Sequence, residues 1–240
     1  MMALKHEMIA NDLAEKIKHQ QFCPGDFLPS EKQLSELYGA SRETTRKALN
    51  HLTELGLIQK LKGKGSLVLD IQKYTFPISG ITSFQELNQA LGLHAKTKVL
   101  RQEKVKAPEY FGKTPITAKK ALFIERLRII DDAPAVLDQD YLLDPPISEL
   151  PAKVAANSIY AYLEKQLGLE IDYATKEITV EEVPKDIAKR LDLGPNEPAV
   201  IVRSLSYLSD TTLFQLTTSY HRPDKFKFID FARRKKLSTN

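Results

Sequence analysis

Two arginines two residues apart, in Glu125-Arg126-Leu127-Arg128, are the most chemically pointed pair in this sequence. In a strand, the i, i+2 spacing sends both guanidiniums to one face of the sheet. Side by side they repel unless an anion or acidic side chains sit between them. Phosphate fits, because a guanidinium offers a planar fork to its oxygens. Glu125 and Asp131 are the internal competitors for that role. Ser83-Phe84-Gln85-Glu86 has the S-x-x-E form of a capping box, so a helix starts there with amides able to hold an anion or merely capped. Asp138 lies among Val136, Leu137 and Tyr141, where a carboxylate either accepts from sugar hydroxyls or faces water. Ser158 follows Asn157 at another helix start, where a plain cap is the simpler reading, and a lone His221 is more often structural than functional.

A second basic constellation lies near the N-terminus. Ser41-Arg42-Glu43-Thr44-Thr45-Arg46-Lys47 opens a segment whose Ala48, Leu49 and Leu52 recur at helical spacing. Projected on a 3.6-residue period, Arg42, Thr45 and Arg46 are expected on the face opposite those three. Arginine suits bidentate contact with guanine, and threonine can meet a thymine methyl or a phosphate. Ser30, with Gln33 three residues on, opens a helix whose amides can hold a phosphate, or is an ordinary N-cap. Lys62-Gly63-Lys64-Gly65, preceded by Lys60, puts lysines on a thin turn whose glycines let the backbone approach a sugar-phosphate wall.

The elements that must position these residues follow from periodicity and punctuation. A first helix has Met8, Ile9, Leu13 and Ile17 on one face and stops before Cys23-Pro24-Gly25-Asp26. A second starts after Pro29, carries Leu34 and Leu37 inward and ends at Tyr38-Gly39. The third runs from Ser41 to Leu55-Gly56, and segments 57–61 and 66–69 then form a hairpin. Two short helices around Tyr38-Gly39-Ala40 make a helix-turn-helix, with the third helix entering a major groove. Residues 1–70 are therefore expected to form a DNA-binding domain, 71–77 a linker, and 78–240 a second domain. In the second domain, strands are expected over 97–105, 122–131, 135–142, 173–183, 199–208 and 212–221, and helices over 84–91, 158–167 and 185–191. Strands without regular crossover helices predict a mainly antiparallel α+β domain.

Composition narrows the class without naming a partner. With 240 residues the chain suits two domains, and 35 Lys+Arg against 31 Asp+Glu leave only +4. One cysteine, Cys23, rules out an internal disulfide and a thiolate metal cluster. There is no apolar run of 18 residues to span a membrane and no signal-peptide pattern, so a cytoplasmic protein without membrane partners is expected. Placement of charge, rather than its sum, carries the expectation of anionic partners.

Together, Phe27-Leu28-Pro29-Ser30-Glu31, Ser41 to Leu49 and Gly63-Lys64-Gly65-Ser66 resemble the winged helix-turn-helix of the GntR family of bacterial transcription regulators. The resemblance implies that Arg42, Thr44, Thr45 and Arg46 read bases or adjacent phosphates and that Lys62, Gly63, Lys64 and Gly65 form the wing. Lys32 stands where arginine is common, which keeps the charge but loses the fork. Residues 76–235 resemble the UTRA effector domain of the HutC subfamily, which implies a chorismate-lyase-like fold that senses small metabolites. In phosphosugar-sensing members the equivalents of Ser83, Arg126 and Arg128 hold the phosphate and those of Asp138, Ser158, Gln215 and His221 line the sugar, with Phe84 expected in the same effector site. Here Asp138 replaces a common glutamate, Gln215 a common acid and His221 a common tyrosine, which suits a neutral polyhydroxyl sugar better than an amino sugar. Phe76-Pro77-Ile78-Ser79-Gly80, Glu103-Lys104-Val105, His221 to Phe226 and Phe231-Ala232-Arg233-Arg234 narrow the resemblance to trehalose-responsive members, implying release by trehalose 6-phosphate.

The leading expectation is thus a homodimeric repressor that binds palindromic double-stranded operator DNA and leaves it when a sugar phosphate binds. No metal, cofactor or catalytic residue is expected. The alternatives are a regulator sensing another phosphosugar or an organic acid, and a phosphosugar-acting enzyme with a DNA-binding head. The sequence contains no G-x-S-x-G, H-E-x-x-H or Walker loop, which weighs against the enzyme.

Overall fold

The computed structural model describes residues 5–69, 81 and 83–228. The expected linker 71–77 and the motifs 76–80 and 231–234 lie outside the described residues. The chain divides into two compact units, one holding residues 5–69 (the head), the other 83–89 and 93–226 (the body).

The head has three helices, α1 (Lys5–Lys18), α2 (Glu31–Tyr38) and α3 (Arg42–Glu54), followed by the antiparallel strands β1 (Ile58–Leu61) and β2 (Gly65–Val68). Both short helices are capped as their sequences demand. Ser30 accepts from the Gln33 amide at 3.3 Å while Gln33 Oε1 accepts from the Ser30 amide at 2.8 Å, closing the reciprocal box. Gly39 ends α2 in the left-handed conformation, φ 54°, where a side chain would be strained. The core joins Ile9, Leu13 and Ile17 of α1 to Leu34 of α2, Ala48, Leu49 and Leu52 of α3, and Ile58 and Val68 of the hairpin. Two residues expected inside are outside: Met8 is 60% and Leu37 is 65% exposed. The buried stripe of α1 is Ile9, Ala10, Leu13, Ala14 and Ile17, which leaves Met8 off its edge. In the two-turn α2, Leu34 is the buried residue. Residues 25–28 add backbone bonding to the wing that the sequence reading missed, with Leu28 donating to Ser66 O at 2.8 Å and Val68 to Asp26 O at 2.8 Å.

The body contains α4 (Phe84–Leu91), β3 (Lys96–Lys106), a small hairpin β4 (Tyr110–Phe111) and β5 (Thr114–Pro115), then β6 (Lys120–Ile130) and β7 (Ala133–Asp144). It continues through α5 (Ala152–Ala155), α6 (Ile159–Lys165), β8 (Ile171–Glu181), α7 (Lys185–Leu191), β9 (Ala199–Leu208) and β10 (Leu213–His221). Six strands form one antiparallel sheet in the order β3-β6-β7-β10-β9-β8. The six expected strands and three expected helices are all present; α5 and the β4–β5 hairpin were not foreseen.

Strand alternation gives the sheet two different faces. On one, Leu122 and Ile124 of β6 and Leu142 of β7 pack with Ile159 and Leu163 of α6 and with Phe214. On the other, Leu137 packs with Ile187 and Leu191 of α7. The first face also carries Arg126, Arg128, Asp138 and Asp140, so one end of each central strand is apolar and the other charged.

Leu49 is 1% exposed at the centre of the head. Leu49→Ala is expected to destabilise the head by about 2–5 kcal/mol, read as a lower urea midpoint of the helical circular-dichroism signal.

Candidate functional site

The basic N-terminal half of α3 begins with Ser41, whose hydroxyl accepts from the Thr44 amide at 3.1 Å and lies 2.8 Å from the Thr44 hydroxyl. That cap fixes the angle at which Arg42, Arg46 and Lys47 leave the helix, and all three are exposed. Arg46 is ion-paired with Glu43 on the same helix, an exposed pair that solvent screens. Thr45 is a correction. It is 0% exposed, and its hydroxyl lies 3.0 Å from that of Ser35 on α2. Positions 45, 48, 49 and 52 make the i, i+3, i+4, i+7 stripe of a buried face, so Thr45 locks the two helices together and cannot reach a base.

The wing turn is built as its glycines require, with φ +77° at Gly63 and +112° at Gly65. Lys62 and Lys64 stand exposed on it. Lys60 donates to Asn50 Oδ1 of α3 at 2.7 Å, and its ammonium pKa is lowered by burial, partly offset by Glu31 and deepened by Arg46. Ser30 is engaged in its cap, and Lys32 lies 3.9 Å from Glu36 in an exposed i, i+4 pair.

In the body the two arginines do share a face, and their partners are aspartates on the next strand. Register places Arg126 opposite Asp138, and the ion pairs form on the diagonal. Arg126 Nη2 donates to Asp140 Oδ2 at 2.6 Å, and Arg128 Nε to Asp138 Oδ2 at 2.8 Å. Glu125, expected as a competitor, points to the opposite face, where Arg190 of α7 and Gln139 bond it. Asp131 lies in the turn after β6, at φ +53°.

Neighbouring strands complete the pairs. Arg128 Nη1 donates to the Thr97 hydroxyl of β3 at 2.7 Å, and its guanidinium carbon lies 4.5 Å from the Phe84 ring centroid of α4. Ser219 donates to Asp138 Oδ1 at 2.6 Å; Thr217 and Gln215 donate to Asp140 Oδ1, each at 2.8 Å. Buried and half-buried polar side chains thus form a lane across β3, β6, β7 and β10. Burial opposes the charge on Asp138, but Arg128, Arg126 and the Ser219 bond override it and hold its pKa below the usual carboxylate value. Burial also opposes the charge on Arg126, which Asp140 and Asp138 reverse, raising its pKa. Burial and the neighbouring Arg126 bring Arg128 down to about 10.

Among the described residues, two buried atoms in the lane find no hydrogen-bond partner, Arg126 Nε and Gln215 Oε1. One is a donor and the other an acceptor, both on side chains bonded to Asp140. Such buried orphans are uncommon and mark places where a ligand or water completes the network.

Of the remaining expected residues, Ser83 closes a capping box on α4, its amide donating to Glu86 at 2.8 Å. Phe84 follows it and covers Arg128. Ser158 caps α6 through the Ala161 amide at 3.1 Å. His221 is buried at the end of β10 with its ring 4.9 Å from that of Phe226. The sequence reading missed Asp140, Thr97, Thr217, Ser219 and Tyr160. Tyr160 of α6 lies 3.4 Å from the Ser206 hydroxyl, and burial pushes its own hydroxyl up to about 12. One signal was available: Asp138-Gln139-Asp140 mirrors Arg126-Leu127-Arg128 across a short turn. Among the described residues no group of three or more His, Cys, Asp or Glu could hold a metal ion, and no helix is long and apolar enough to cross a membrane.

Burial lowers the His221 pKa from 6.5 to about 4, against a smaller opposing effect of Asp138. The unfolded chain then binds more protons than the folded one below pH 6.5, so stability falls as the pH drops from there towards 4. The loss amounts to about 3 kcal/mol at most. His221→Phe is expected to flatten that part of a stability–pH profile measured by urea unfolding; an unchanged profile would show that this ring does not titrate as described.

Residues 5–68 match the family described as bacterial regulatory proteins, gntR family, and residues 90–227 match the UTRA domain. The chain is 42% identical over 239 residues to the HTH-type transcriptional regulator TreR of Bacillus subtilis, covering 98% of this chain and 100% of that protein. The effector-binding domain of the B. subtilis trehalose repressor (TreR) superposes with a TM-score of 0.52 at 39% identity, over 59% of this chain and 99% of that one. The possible transcriptional regulator YydK of B. subtilis superposes with a TM-score of 0.73 at 21% identity, over 96% of this chain and all of that one, and so shares its fold. These relatives are regulators, and the enzyme reading falls away with them. The chain belongs to the GntR family of bacterial transcriptional regulators, with a helix-turn-helix head and a UTRA effector domain.

Proposed function

We propose that the chain is a homodimeric repressor that binds a palindromic operator and is released from it by a sugar phosphate, trehalose 6-phosphate. The observation that carries the effector part is the buried lane of Arg126, Arg128, Asp138 and Asp140, with an unpartnered donor on Arg126 and an unpartnered acceptor on Gln215. The guanidiniums suit the phosphate. The amide of Gln215, standing where an acid would favour an ammonium, suits the hydroxyls of a neutral sugar. The 42% identity to TreR, and the description of TreR as a trehalose repressor, support trehalose as that sugar. On the head, the exposed Arg42 and Arg46 are the base-reading residues, Thr44 and Lys47 reach adjacent phosphates, and Lys62 and Lys64 flank the neighbouring groove.

Two half-sites follow from two heads related by a two-fold axis. Release requires that the sugar phosphate prefer the protein conformation that does not fit the operator; equal affinity for both would shift nothing.

In an operator gel shift, trehalose 6-phosphate is expected to release the DNA and unphosphorylated trehalose to leave it bound. Removing Arg126 alone strands Asp140, so the informative variant is Arg126→Gln with Asp140→Asn, which keeps the lane neutral. It is expected to bind operator normally and ignore trehalose 6-phosphate. Release of the variant at the wild-type concentration would remove the lane from the effector site.

The head has its own discriminating pair. Arg46→Ala is expected to cost about 1–3 kcal/mol of operator affinity. Thr45→Val is expected to lower thermal stability by about 1 kcal/mol through the lost Ser35 bond while leaving operator affinity, measured below the melting transition, within twofold of wild type.

A further inference from the structure

The body carries a second concentration of positive charge that the lane does not use. Lys104 and Lys106 of β3 and Lys120 of β6 lie on the same sheet face as Arg126 and Arg128, at the other end of the strands. Lys106 and Lys120 are direct cross-strand partners, and Lys104 is two residues along from Lys106. Like charges directly opposite in a sheet repel and cost stability. With Lys119 these three lysines wall an open cleft of about 440 Å³, which also takes in Leu122, Asp144 and Ser148. That volume falls within the about 300–1,000 Å³ of small-molecule sites.

The carboxylates around the cleft do not balance it as Asp138 and Asp140 balance the arginines. Lys104 reaches Glu149 at 3.2 Å and Lys106 reaches Glu109 at 2.9 Å, both in exposed pairs. Such pairs hold little energy and exchange readily. Lys119 and Lys120 have no carboxylate within ion-pairing distance among the described residues. Asp144, the cross-strand partner of Lys120 on β7, is the one acid in the lining.

We infer that this cleft is a second anion site, which takes a compact small molecule bearing two phosphoryl groups. One phosphoryl meets Lys106 and Lys120 where the sheet sets them opposite each other, and the second meets Lys104 or Lys119. A single phosphate on Lys106 and Lys120 leaves Lys119 without an ion pair among the described residues and Lys104 held only by its exposed pair with Glu149, so the cleft favours the doubly charged ligand. Asp144, on β7, stands on the side away from β3, where it accepts from a hydroxyl of an organic bisphosphate and repels a third anionic group. Lysines hold phosphate as point charges without the fork of the arginine lane, so charge rather than shape sets the preference here.

The probes are inorganic pyrophosphate and fructose 1,6-bisphosphate, with inorganic phosphate as the singly charged comparison. They are titrated against the full chain by isothermal calorimetry at low and high salt. Pyrophosphate is expected to bind saturably, more tightly than phosphate, and to weaken about tenfold or more when salt shortens the screening length. Lys106→Gln with Lys120→Gln is expected to abolish that binding, while Arg126→Gln with Asp140→Asn retains it. Without ligand, the lysine variant is expected to melt at or above the wild-type temperature, because it removes a cross-strand repulsion. Pyrophosphate binding that survives the lysine variant, or that disappears in the arginine variant, overturns the inference. So does a loss of operator affinity in the lysine variant with pyrophosphate binding unchanged, which would assign these lysines to DNA.

Discussion

The body depends on one constraint: two guanidiniums and two carboxylates have been taken out of water together. Each such transfer costs several kcal/mol after relaxation, and the attraction within a pair offsets it only when geometry is good and the remaining donors and acceptors are satisfied. That requirement explains the composition of the surrounding strands. Thr97, Thr217, Ser219 and Gln215 have little hydrophobic value, yet all point to the lane face and each bonds an arginine or an aspartate. Four strands are thereby committed to one electrostatic arrangement, and the apolar packing of Leu122, Ile124, Leu142 and Phe214 at the other end of the sheet anchors them.

The head meets an anion by the opposite route. Its arginines and wing lysines are exposed, with only local carboxylates near them, such as Glu43 beside Arg46. Exposed charges pay little desolvation and keep their counterions close, and a DNA backbone recovers free energy by releasing its own. What the head must supply is rigidity under those side chains. The Ser41 cap, the Ser35–Thr45 contact and the third backbone segment on the wing provide it. A polymer of phosphates is met with exposed charge on a stiff frame; the body's charges are instead fixed and buried, the setting the proposed function gives to a small anion.

The helices, the strands and the head's two capping motifs were legible because each rests on a short-range rule. Periodicity placed nine elements of the body, and Ser30-Glu31-Lys32-Gln33 read correctly as a box because cap chemistry is local. Thr45 was misplaced by one helical face: a threonine beside arginines invites a polar reading, whereas its spacing to Ala48, Leu49 and Leu52 puts it with the core. The arginine partners were misassigned for a related reason. Glu125 and Asp131 are near in sequence, but alternation sends Glu125 to the other face, and the diagonal geometry of an antiparallel pair selects Asp138 and Asp140. The hydroxyls of β3 and β10 were invisible, since their roles depend on strand order, which no local pattern encodes.

The same neutrality that permits burial also constrains how a ligand acts. Two arginines matched by two aspartates leave no spare positive charge for a phosphate, so a dianion entering the lane either adds at the unpartnered Arg126 Nε or takes a guanidinium edge from an aspartate. The first adds net negative charge to a poorly hydrated place and draws a proton or a cation with it. The second frees Asp140, whose other oxygen holds Gln215 and Thr217 of β10. Releasing those bonds alters the strand next to Ser206, which faces Tyr160 of α6. Under the proposed function, a phosphate that takes the Arg126 edge from Asp140 reaches β10 through the Gln215 and Thr217 bonds, and β9 and α6 through the pairing of Gln215 with Ser206 and the Ser206–Tyr160 contact. A coupled response requires that the ligand and the remote element bias the same equilibrium. A lane of unpaired arginines would bind phosphate more simply, but it would have no second arrangement to give up.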